Sequence, residues 1–176
     1  NYENAFAAGQ KVMDNPNATQ NEVDNAVKSI QDALNNLKPD KSGLQEIINK
    51  AKDILNNEHL TPDSKEKLNN ALTKAEGVFN NPNATTTDIS NAEKNLKDAI
   101  NGVVIEADKA KLKELLENKA STEGMTPESA KNYENALAAG QKVMDNPNAT
   151  QNEVDNAVKS IQDALNNLKP DKSGLQ

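Results

Sequence analysis

The sequence predicts an all-α protein made of tandem three-helix bundles of about 65 residues each, joined in an elongated array. The first observation is a repeated phrase: NPNATQNEVDNAV occupies residues 15–27 and 146–158, and the related NPNATTTDISNAE occupies residues 81–93. The second is that apolar residues recur three or four positions apart, as on one face of a helix. The third is that only 2 % of the residues are aromatic, so a core must consist of Leu, Ile, Val and Ala.

The repeat has two levels. Residues 1–45 and 132–176 are identical except that Phe6 in one copy corresponds to Leu137 in the other. A weaker repeat lies between these copies. Its prolines are 66 and 65 residues apart: Pro16, Pro82 and Pro147. Such a period is too long for an ankyrin or tetratricopeptide unit and fits three helices of about 15–20 residues.

The first helix of each complete unit is expected to begin at Asp40 and again at Asp108, because each aspartate precedes a lysine and an apolar stripe. The loop after this helix is expected to be shorter in the second copy. The apolar face comprises Leu44, Ile47, Ile48, Ala51, Ile54 and Leu55 in the first copy, and Leu112, Leu115, Leu116 and Ala120 in the second.

The second helix is expected to start at Thr61-Pro62 and at Thr126-Pro127, because threonine is a good N-cap and proline at the first helical position loses no hydrogen bond. A small residue at the midpoint of its apolar face indicates close approach by another helix. The faces are Leu68, Ala71, Leu72, Ala75, Val78 and Phe79; Tyr133, Ala136, Leu137, Gly140, Val143 and Met144; and Tyr2, Ala5, Phe6, Gly9, Val12 and Met13.

The third helix of each unit is expected to begin with a capping box, in which a threonine hydroxyl and a carboxylate three residues later accept each other's backbone amides. The pairs are Thr19 with Glu22, Thr85 with Asp88, and Thr150 with Glu153. The shorter Asp88 is expected to make the poorer box. Glu93 interrupts the middle stripe, so that unit is expected either to pack differently there or to have a narrower seam. The stripes are Val23, Val27, Ile30, Leu34 and Leu37; Ile89, Leu96, Ile100 and Val103; and Val154, Val158, Ile161, Leu165 and Leu168.

The two joints between units differ in sequence. Pro39 predicts a break at the first joint, because the residue before a proline disfavours helix and Asp40 can cap a new one. The second joint, residues 99–108, has no proline. Two alternatives remain for it: one continuous helix over residues 85–120, or a short break at Gly102.

These joints predict four segments. Residues 1–39 are a partial repeat with the second and third helices only, residues 40–107 and 108–170 are full three-helix repeats, and residues 171–176 start the next repeat, which makes eight helices. The leading pair either stays partly open or takes a helix from the next unit or from another chain. Because Asn1 falls inside a helical pattern, we expect the fragment to belong to something longer, with its targeting signals outside it.

The composition argues against several classes of function. The net charge is −7 and the cations are lysines, so we expect no nucleic-acid partner, because phosphates need a basic surface. The chain has no cysteine, which excludes disulfides, thiolate catalysis and zinc–thiolate sites. No apolar run approaches the roughly 20 residues that cross a bilayer, so no membrane insertion is expected.

Four motifs recur in two longer stretches, LTPDSKEKLNNALTKAEGVFNNPNATTTDISNAEKNLKDAI and MTPESAKNYENALAAGQKVMDNPNATQNEVDNAVKSIQDAL. They are the T-P-x-S helix start, the A-L at 71–72 and 136–137, the N-x-x-A-T turn, and the stripe at Val154 and Ala157. Together they resemble the FIVAR repeats of Gram-positive surface and secreted proteins, which include large matrix-binding adhesins and multimodular glycan-degrading enzymes. The resemblance covers essentially the whole chain.

The resemblance implies three-helix bundles in tandem arrays, located outside the cell and usually attached to the cell wall. It brings no catalytic residues to transfer. Sugar binding has been suggested for the family, and no residue set in this chain supports it independently.

Few residues are candidates for chemistry, and each has a simpler interpretation. His59 and Glu58 could be half of a metal pair, but a single loop histidine is usually just solvated. Asn17, Asn83 and Asn148 head Asn-Ala-Thr sequons, whose threonines are better explained as helix caps.

The acidic residues offer no stronger site. Glu114 with Glu117, and Glu22 with Asp24, lie on solvated faces without the spacing of a calcium loop. Glycoside hydrolysis needs an apolar cleft and aromatic platforms that four aromatic residues at mostly core positions do not provide. We therefore predict no enzyme, no catalytic or metal-binding residue and no cofactor.

The sequence thus favours a structural function. We expect stalk or spacer repeats of a secreted, wall-attached surface protein, whose partners are the neighbouring repeats and which projects a distal adhesin or enzyme domain. The alternative is a binding module for a host extracellular-matrix protein or glycan.

Overall fold

The computed structural model describes residues 1–174, apart from the side chain of Asn57. That range contains eight α-helices and no β-strand beyond two isolated bridges, so the predicted all-α fold is confirmed. The helices are α1 (Tyr2–Met13), α2 (Gln20–Asn35), α3 (Ser42–Asn57), α4 (Pro62–Asn80), α5 (Thr86–Asn101), α6 (Ala110–Glu117), α7 (Pro127–Asp145) and α8 (Gln151–Asn166).

The helices pack in three groups. Helix α1 packs on α2; α3, α4 and α5 pack on one another; and α6 packs on α7 and α8, which also pack together. Among the described helices no packing connects one group with another. The two groups of three each enclose a core of aliphatic side chains, as the composition predicts. The largest fully buried apolar side chains are Leu44, Ile48, Leu68 and Leu96 in one core, and Leu112, Tyr133, Val154 and Ile161 in the other.

The predicted starts of the second and third helices are confirmed. Helices α4 and α7 begin at the prolines after their threonine caps, and α2, α5 and α8 begin with capping boxes in which both bonds are formed. The expectation that Asp88 makes the poorer box is wrong. Its carboxylate accepts a hydrogen bond from the Thr85 amide at 2.8 Å. The Glu153 carboxylate accepts the Thr150 amide at the same distance, so the shorter side chain of aspartate reaches its amide equally well.

The first helices begin two residues later than expected, at Ser42 and Ala110, because Lys41 and Lys109 are the N-cap residues and the preceding aspartates lie outside the helix. Residues 171–174 repeat this start as a turn, whereas residues 175–176, the end of the predicted next repeat, lie outside the described residues. Each aspartate accepts a backbone amide at 2.9 Å: Asp40 from Ser42, Asp108 from Ala110, and Asp171 from Ser173.

The loop after α6 is longer than expected, not shorter. It covers residues 118–126, against 58–61 after α3, because α6 ends early and Ala120 lies outside it. Gly124 in this loop has φ +73°, a left-handed conformation that favours glycine. The loop is anchored by the Ala120 amide, which donates to the buried Tyr133 hydroxyl at 3.0 Å.

The first joint breaks at Pro39 as predicted, since α2 ends at Asn35 and α3 begins at Ser42. At the second joint, a continuous helix over residues 85–120 is wrong and the break at Gly102 is confirmed. The chain leaves the helix there because residues 103–106 bond elsewhere in the middle group.

An extended strap follows α5 and returns along the start of α4. The Thr61 amide donates to the Val104 carbonyl at 3.0 Å, and the Glu106 amide donates to the His59 carbonyl at 2.7 Å. The Val104 amide donates to the Ser64 hydroxyl at 2.9 Å. The serine of T-P-x-S therefore holds the strap as well as standing in the first turn of the helix.

The last group has the same strap after α8. The Thr126 amide donates to the Lys169 carbonyl at 2.7 Å, and the Asp171 amide donates to the Gly124 carbonyl at 2.8 Å. The Lys169 amide donates to the Ser129 hydroxyl at 3.1 Å. The strap is thus a repeated device that ends each unit beside its own second helix.

Small residues permit the predicted close approach of helices. A Cβ atom added at Gly140 in α7 would lie 2.7 Å from Cδ1 of Ile161 in α8. In the middle group, Ala75 and Leu96 occupy the corresponding positions and are both buried. Glu93, which interrupts the middle stripe, lies against the start of α3, because its Oε1 atom is 2.8 Å from where a Cβ of Gly43 would be.

We predict that acid weakens the starts of α2 and α5. The Thr19 amide bonded to Glu22 holds the pKa of that carboxyl below its ordinary value of 4.5, and the Thr85 amide lowers the pKa of Asp88 in the same way. A lowered folded-state pKa means that the carboxylate stabilises the fold above its ordinary pKa and loses this effect as the pH falls through the lowered value. The Thr19 amide resonance should titrate with a midpoint below 4.5. A midpoint at or above that value contradicts the prediction, and Glu22→Gln should abolish the titration.

We predict that Ser129→Ala destabilises the last group by about 1 kcal/mol, because the Lys169 amide loses its acceptor. Amide hydrogen exchange should accelerate at Lys169. Ser160→Ala, a change at an exposed position of α8, is the matched control and should leave that amide unchanged. Equal protection in the two variants would show that the serine does not hold the strap.

Candidate functional site

The pairs α1–α2 and α7–α8 place nearly the same sequence in two surroundings. Over the aligned residues they differ only at Phe6 and Leu137. Helix α6 packs on both α7 and α8, whereas no described helix other than its own partner packs on α1 or α2. The last group therefore shows how this sequence is covered, and the first shows it uncovered.

Helix α6 is attached to α7–α8 by its first residues. The ammonium group of Lys109 donates to the carbonyl of Met144 at 2.9 Å and to that of Asn146 at 2.6 Å. A cation at the end of α7 also complements the helix dipole. The Gln151 side chain accepts the Asp108 amide at 2.8 Å and donates to the Asp108 carbonyl at 3.3 Å.

The middle group repeats the lysine contact. The ammonium group of Lys41 donates to the carbonyls of Phe79 at 2.8 Å and Asn81 at 2.7 Å, and it lies 5.9 Å from the centre of the Phe79 ring. This lysine follows the aspartate in both copies, but no contact was predicted for it from the sequence. The recurrence of Asp-Lys at the start of both first helices was the signal that could have identified it.

Below the lysine, apolar side chains close the seam. The Cδ1 atom of Leu112 lies 3.3 Å from where a Cβ of Gly140 would be. Leu112 and Ile161 are fully buried, and Leu116 and Leu137 are nearly so. A helix with leucines four residues apart therefore fills the groove between α7 and α8 in the last group.

The corresponding surface of α1–α2 is exposed, and we call it the open face. Phe6 is 55 % exposed where Leu137 is 9 % exposed, and Met13 is 78 % exposed. The open face contains a groove of about 210 Å³ beside Gly9 and Ile30. The open face consists of Phe6, Gly9, Val12, Met13, Val23, Val27, Ile30, Leu34 and Leu37.

A second contact of interest lies at the second joint. The Asp63 amide, at the start of α4, donates to the Asn148 side-chain carbonyl at 2.9 Å. Asn148 belongs to the turn between α7 and α8, so this bond connects the middle group with the last one. From the sequence, Asn148 was only the first residue of a sequon, and this contact was not predicted.

The structure does not assemble the chemical candidates into a site. His59 is exposed, and its backbone carbonyl is bonded to the strap. Within residues 1–174, no group of three or more His, Asp or Glu side chains is placed to hold a metal ion. The sequon threonines Thr19, Thr85 and Thr150 are helix caps, as proposed.

The acidic pairs have ordinary surface partners. Glu114 lies 3.0 Å from the Lys111 ammonium group, and Glu117 lies 3.7 Å from that of Lys113. Glu22 serves its capping box, and Asp24 accepts a hydrogen bond from the Gln20 side chain at 2.9 Å. In the described residues, no helix combines the length and apolarity that crossing a membrane requires.

The fold and these surfaces define an all-α protein made of helical repeats. The chain belongs to the FIVAR family: the FIVAR domain model matches residues 1–38, 40–104 and 108–169. The resemblance to FIVAR repeats, which the T-P-x-S and N-x-x-A-T motifs indicated, is confirmed.

Curated relatives share this similarity over 98 % of the chain. The polysaccharide lyase 8 family protein HylA of Enterococcus faecalis is 31 % identical over 185 residues, which are 13 % of that protein. The extracellular matrix-binding protein EbhB of Staphylococcus aureus strain Newman is 27 % identical over 212 residues, which are 3 % of it. The corresponding protein ebh of strain COL is also 27 % identical, over 2 % of its length.

The chain thus spans 13 % or less of the length of these relatives. No solved structure matches it. The family and the relatives place the chain outside the cell, among surface proteins of Gram-positive bacteria, and the predicted extracellular location is confirmed.

Proposed function

We propose that the chain is a stalk segment of a wall-attached surface protein, which projects a distal adhesin or enzyme domain away from the cell. The observation that carries this proposal is the accessible surface, which is 12218 Å² for a chain of 19.0 kDa. A compact monomer of this mass exposes about 8,400 Å². Several small cores arranged in series expose more surface than one compact core, which accounts for the larger accessible surface of this chain.

The organisation of the units supports the same proposal. We propose units at residues 40–107 and 108–170, with residues 1–39 as the second and third helices of a further unit and residues 171–176 as the start of another. The family matches at 40–104 and 108–169 support these boundaries. Each core forms within one group of helices, so further units add length without changing those already present.

The joint between the middle and last units is short and hydrogen-bonded, so it should resist bending and keep the array extended. The strap ends within a few residues of Asp108, and the bond from the Asp63 amide to Asn148 crosses the joint. A short connection with a crossing hydrogen bond limits bending more than a flexible linker does. Near-identical copies also allow recombination to change the number of units.

The proposed role involves no chemistry by this chain. The lyase relative resembles it over only 13 % of the lyase's length, so the similarity transfers no reaction to this chain. A repeated spacer beside a catalytic region is consistent with a stalk.

We predict that small-angle scattering on chains of two and four full units gives a maximum dimension that rises nearly linearly with copy number. Asn148→Ala should broaden the distribution of distances across the joint, because the Asp63 amide loses its partner. Asn17→Ala alters the same turn in the first pair and is the matched control. A dimension that grows only as the cube root of mass, as in a compact assembly, would eliminate the stalk.

A second function has one specific observation in its favour. Several relatives are named extracellular matrix-binding proteins. A groove of about 450 Å³ lies between α4 and α5 and is lined by polar side chains over small ones, including Asn70, Asn91 and Asn95 over Ala71 and Ala92. We propose as the alternative that this groove contacts a host matrix protein or glycan.

The alternative predicts saturable binding to immobilised matrix proteins or a glycan array at micromolar chain concentration. Asn91→Lys should reduce such binding at least several-fold, because a long charged side chain would enter the groove. Asn49→Lys, on the exposed side of α3, is the control. If the folded chain binds none of the matrix proteins or glycans in the panel, the alternative is wrong, whereas the proposal of a stalk is unaffected.

A further inference from the structure

We propose that each complete unit carries tension as one body, because polar bonds fasten the two ends of its second helix to the segments by which the chain enters and leaves the unit. This property concerns resistance to pulling and not length. Its biological use rests on the proposed stalk, which transmits tension whenever a distal domain is held. The two are tested separately, because scattering measures dimensions whereas pulling measures the force and length of unfolding.

The segment that enters the middle unit is tied to the end of the second helix. Lys41 precedes α3, and its ammonium group donates to the carbonyls of Phe79 at 2.8 Å and Asn81 at 2.7 Å, at the end of α4. We call these two bonds the entry fastening. Their donor is charged, which makes them stronger than bonds between neutral groups. Tension that arrives before α3 therefore reaches α4 and the turn to α5 as well as α3.

The segment that leaves the unit is tied to the start of the same helix. The Thr61 amide donates to the Val104 carbonyl at 3.0 Å, and the Val104 amide donates to the Ser64 hydroxyl at 2.9 Å. The Glu106 amide donates to the His59 carbonyl at 2.7 Å, and a pull from the next unit reaches this bond first. We call these three bonds the exit fastening. They pass tension from the end of α5 to the start of α4.

The last unit has both fastenings at the corresponding positions. Lys109 makes the entry fastening with the carbonyls of Met144 and Asn146. The exit fastening joins the strap after α8 to residues 124–129, at the start of α7. The first helices of the two units differ in length, with 16 residues in α3 and 8 in α6. The fastenings are thus the same in two units whose first helices are not.

The fastenings change which bonds a pull must break. Without them, the chain would deliver tension to the first residues of α3 and the last residues of α5. Each helical hydrogen bond joins residues four apart, so a helix pulled at one end loses its bonds one at a time. With the fastenings, three helices that share one apolar core bear the same tension together. The unit then loses its core packing in one event before any helix extends.

The test pulls the full chain in optical tweezers through handles at Lys38→Cys and Ser173→Cys, two exposed positions on either side of the complete units. The chain has no cysteine of its own, so the handles attach only there. We expect each unaltered unit to open in a single step of about 65 residues, or roughly 220 Å of extended chain.

Variants of the middle unit remove one fastening each, and the unaltered last unit is the internal reference. Ser64→Ala with Glu106→Pro removes two bonds of the exit fastening, since alanine has no hydroxyl and proline has no N–H. The middle unit should then open in two steps, of which the first releases α5 and the strap, about 20 residues or roughly 70 Å. Lys41→Met removes the entry fastening and should release α3 first, in a step of similar length.

Ile48→Val with Ile89→Val is the matched control in the same unit. Each change deletes one methyl group from a buried side chain, which costs about as much stability as the loss of a hydrogen bond. Equilibrium unfolding in urea compares the stability of the three variants. The control should lower the unfolding force and keep the single step, because both fastenings remain.

The number of steps decides the outcome. Two steps in either fastening variant, with a single step in the control, support the proposal. A first step of about 20 residues in the unaltered units would overturn it, since a terminal helix would leave although both fastenings are present. A single step in both fastening variants would also overturn it. If urea unfolding shows that one fastening variant does not fold, the other decides.

Neither negative result affects the stalk, whose length scattering measures independently.

Discussion

The seam between the second and third helices of each unit is the constraint on which the remaining structure depends. Each of these helices is amphipathic and marginal alone, and a pair still leaves one apolar side in water. A third helix must cover that side, and α3 and α6 do so for two of the three pairs. The small cores, the short joints and the open face all follow, because a pair of helices buries its remaining apolar side only when a third helix packs on it.

Polar contacts at the helix ends decide how the third helix is held. Lysine ammonium groups from Lys41 and Lys109 bind the last carbonyls of the second helix, and capping boxes start the third. The T-P-x-S serines hold the strap that leads to the next unit. Because each unit closes on itself in this way, units can follow one another without merging their cores, which is what a stalk requires.

The repeat motifs were sufficient to predict most of the architecture. The helix caps at Thr61, Thr126 and the three capping boxes were predictable because capping depends on residues within one turn. The early end of α6 was not, since it depends on the anchoring of Ala120 by Tyr133 across a loop. The joint at Gly102 stayed undecided for a similar reason: local propensity permits helix there, and bonds to Ser64 and Thr61 prevent it.

The amino-acid sequence by itself determined the helices, their caps, the aliphatic composition of the cores and the membership of a repeat family, because these follow from local chemistry and periodicity. Tertiary structure alone decided which apolar face is covered. Phe6 and Leu137 occupy equivalent places in nearly identical segments, yet one side chain is exposed and the other buried. The physical reason is that burial depends on a neighbouring helix, and a segment's own sequence does not encode whether that neighbour is present.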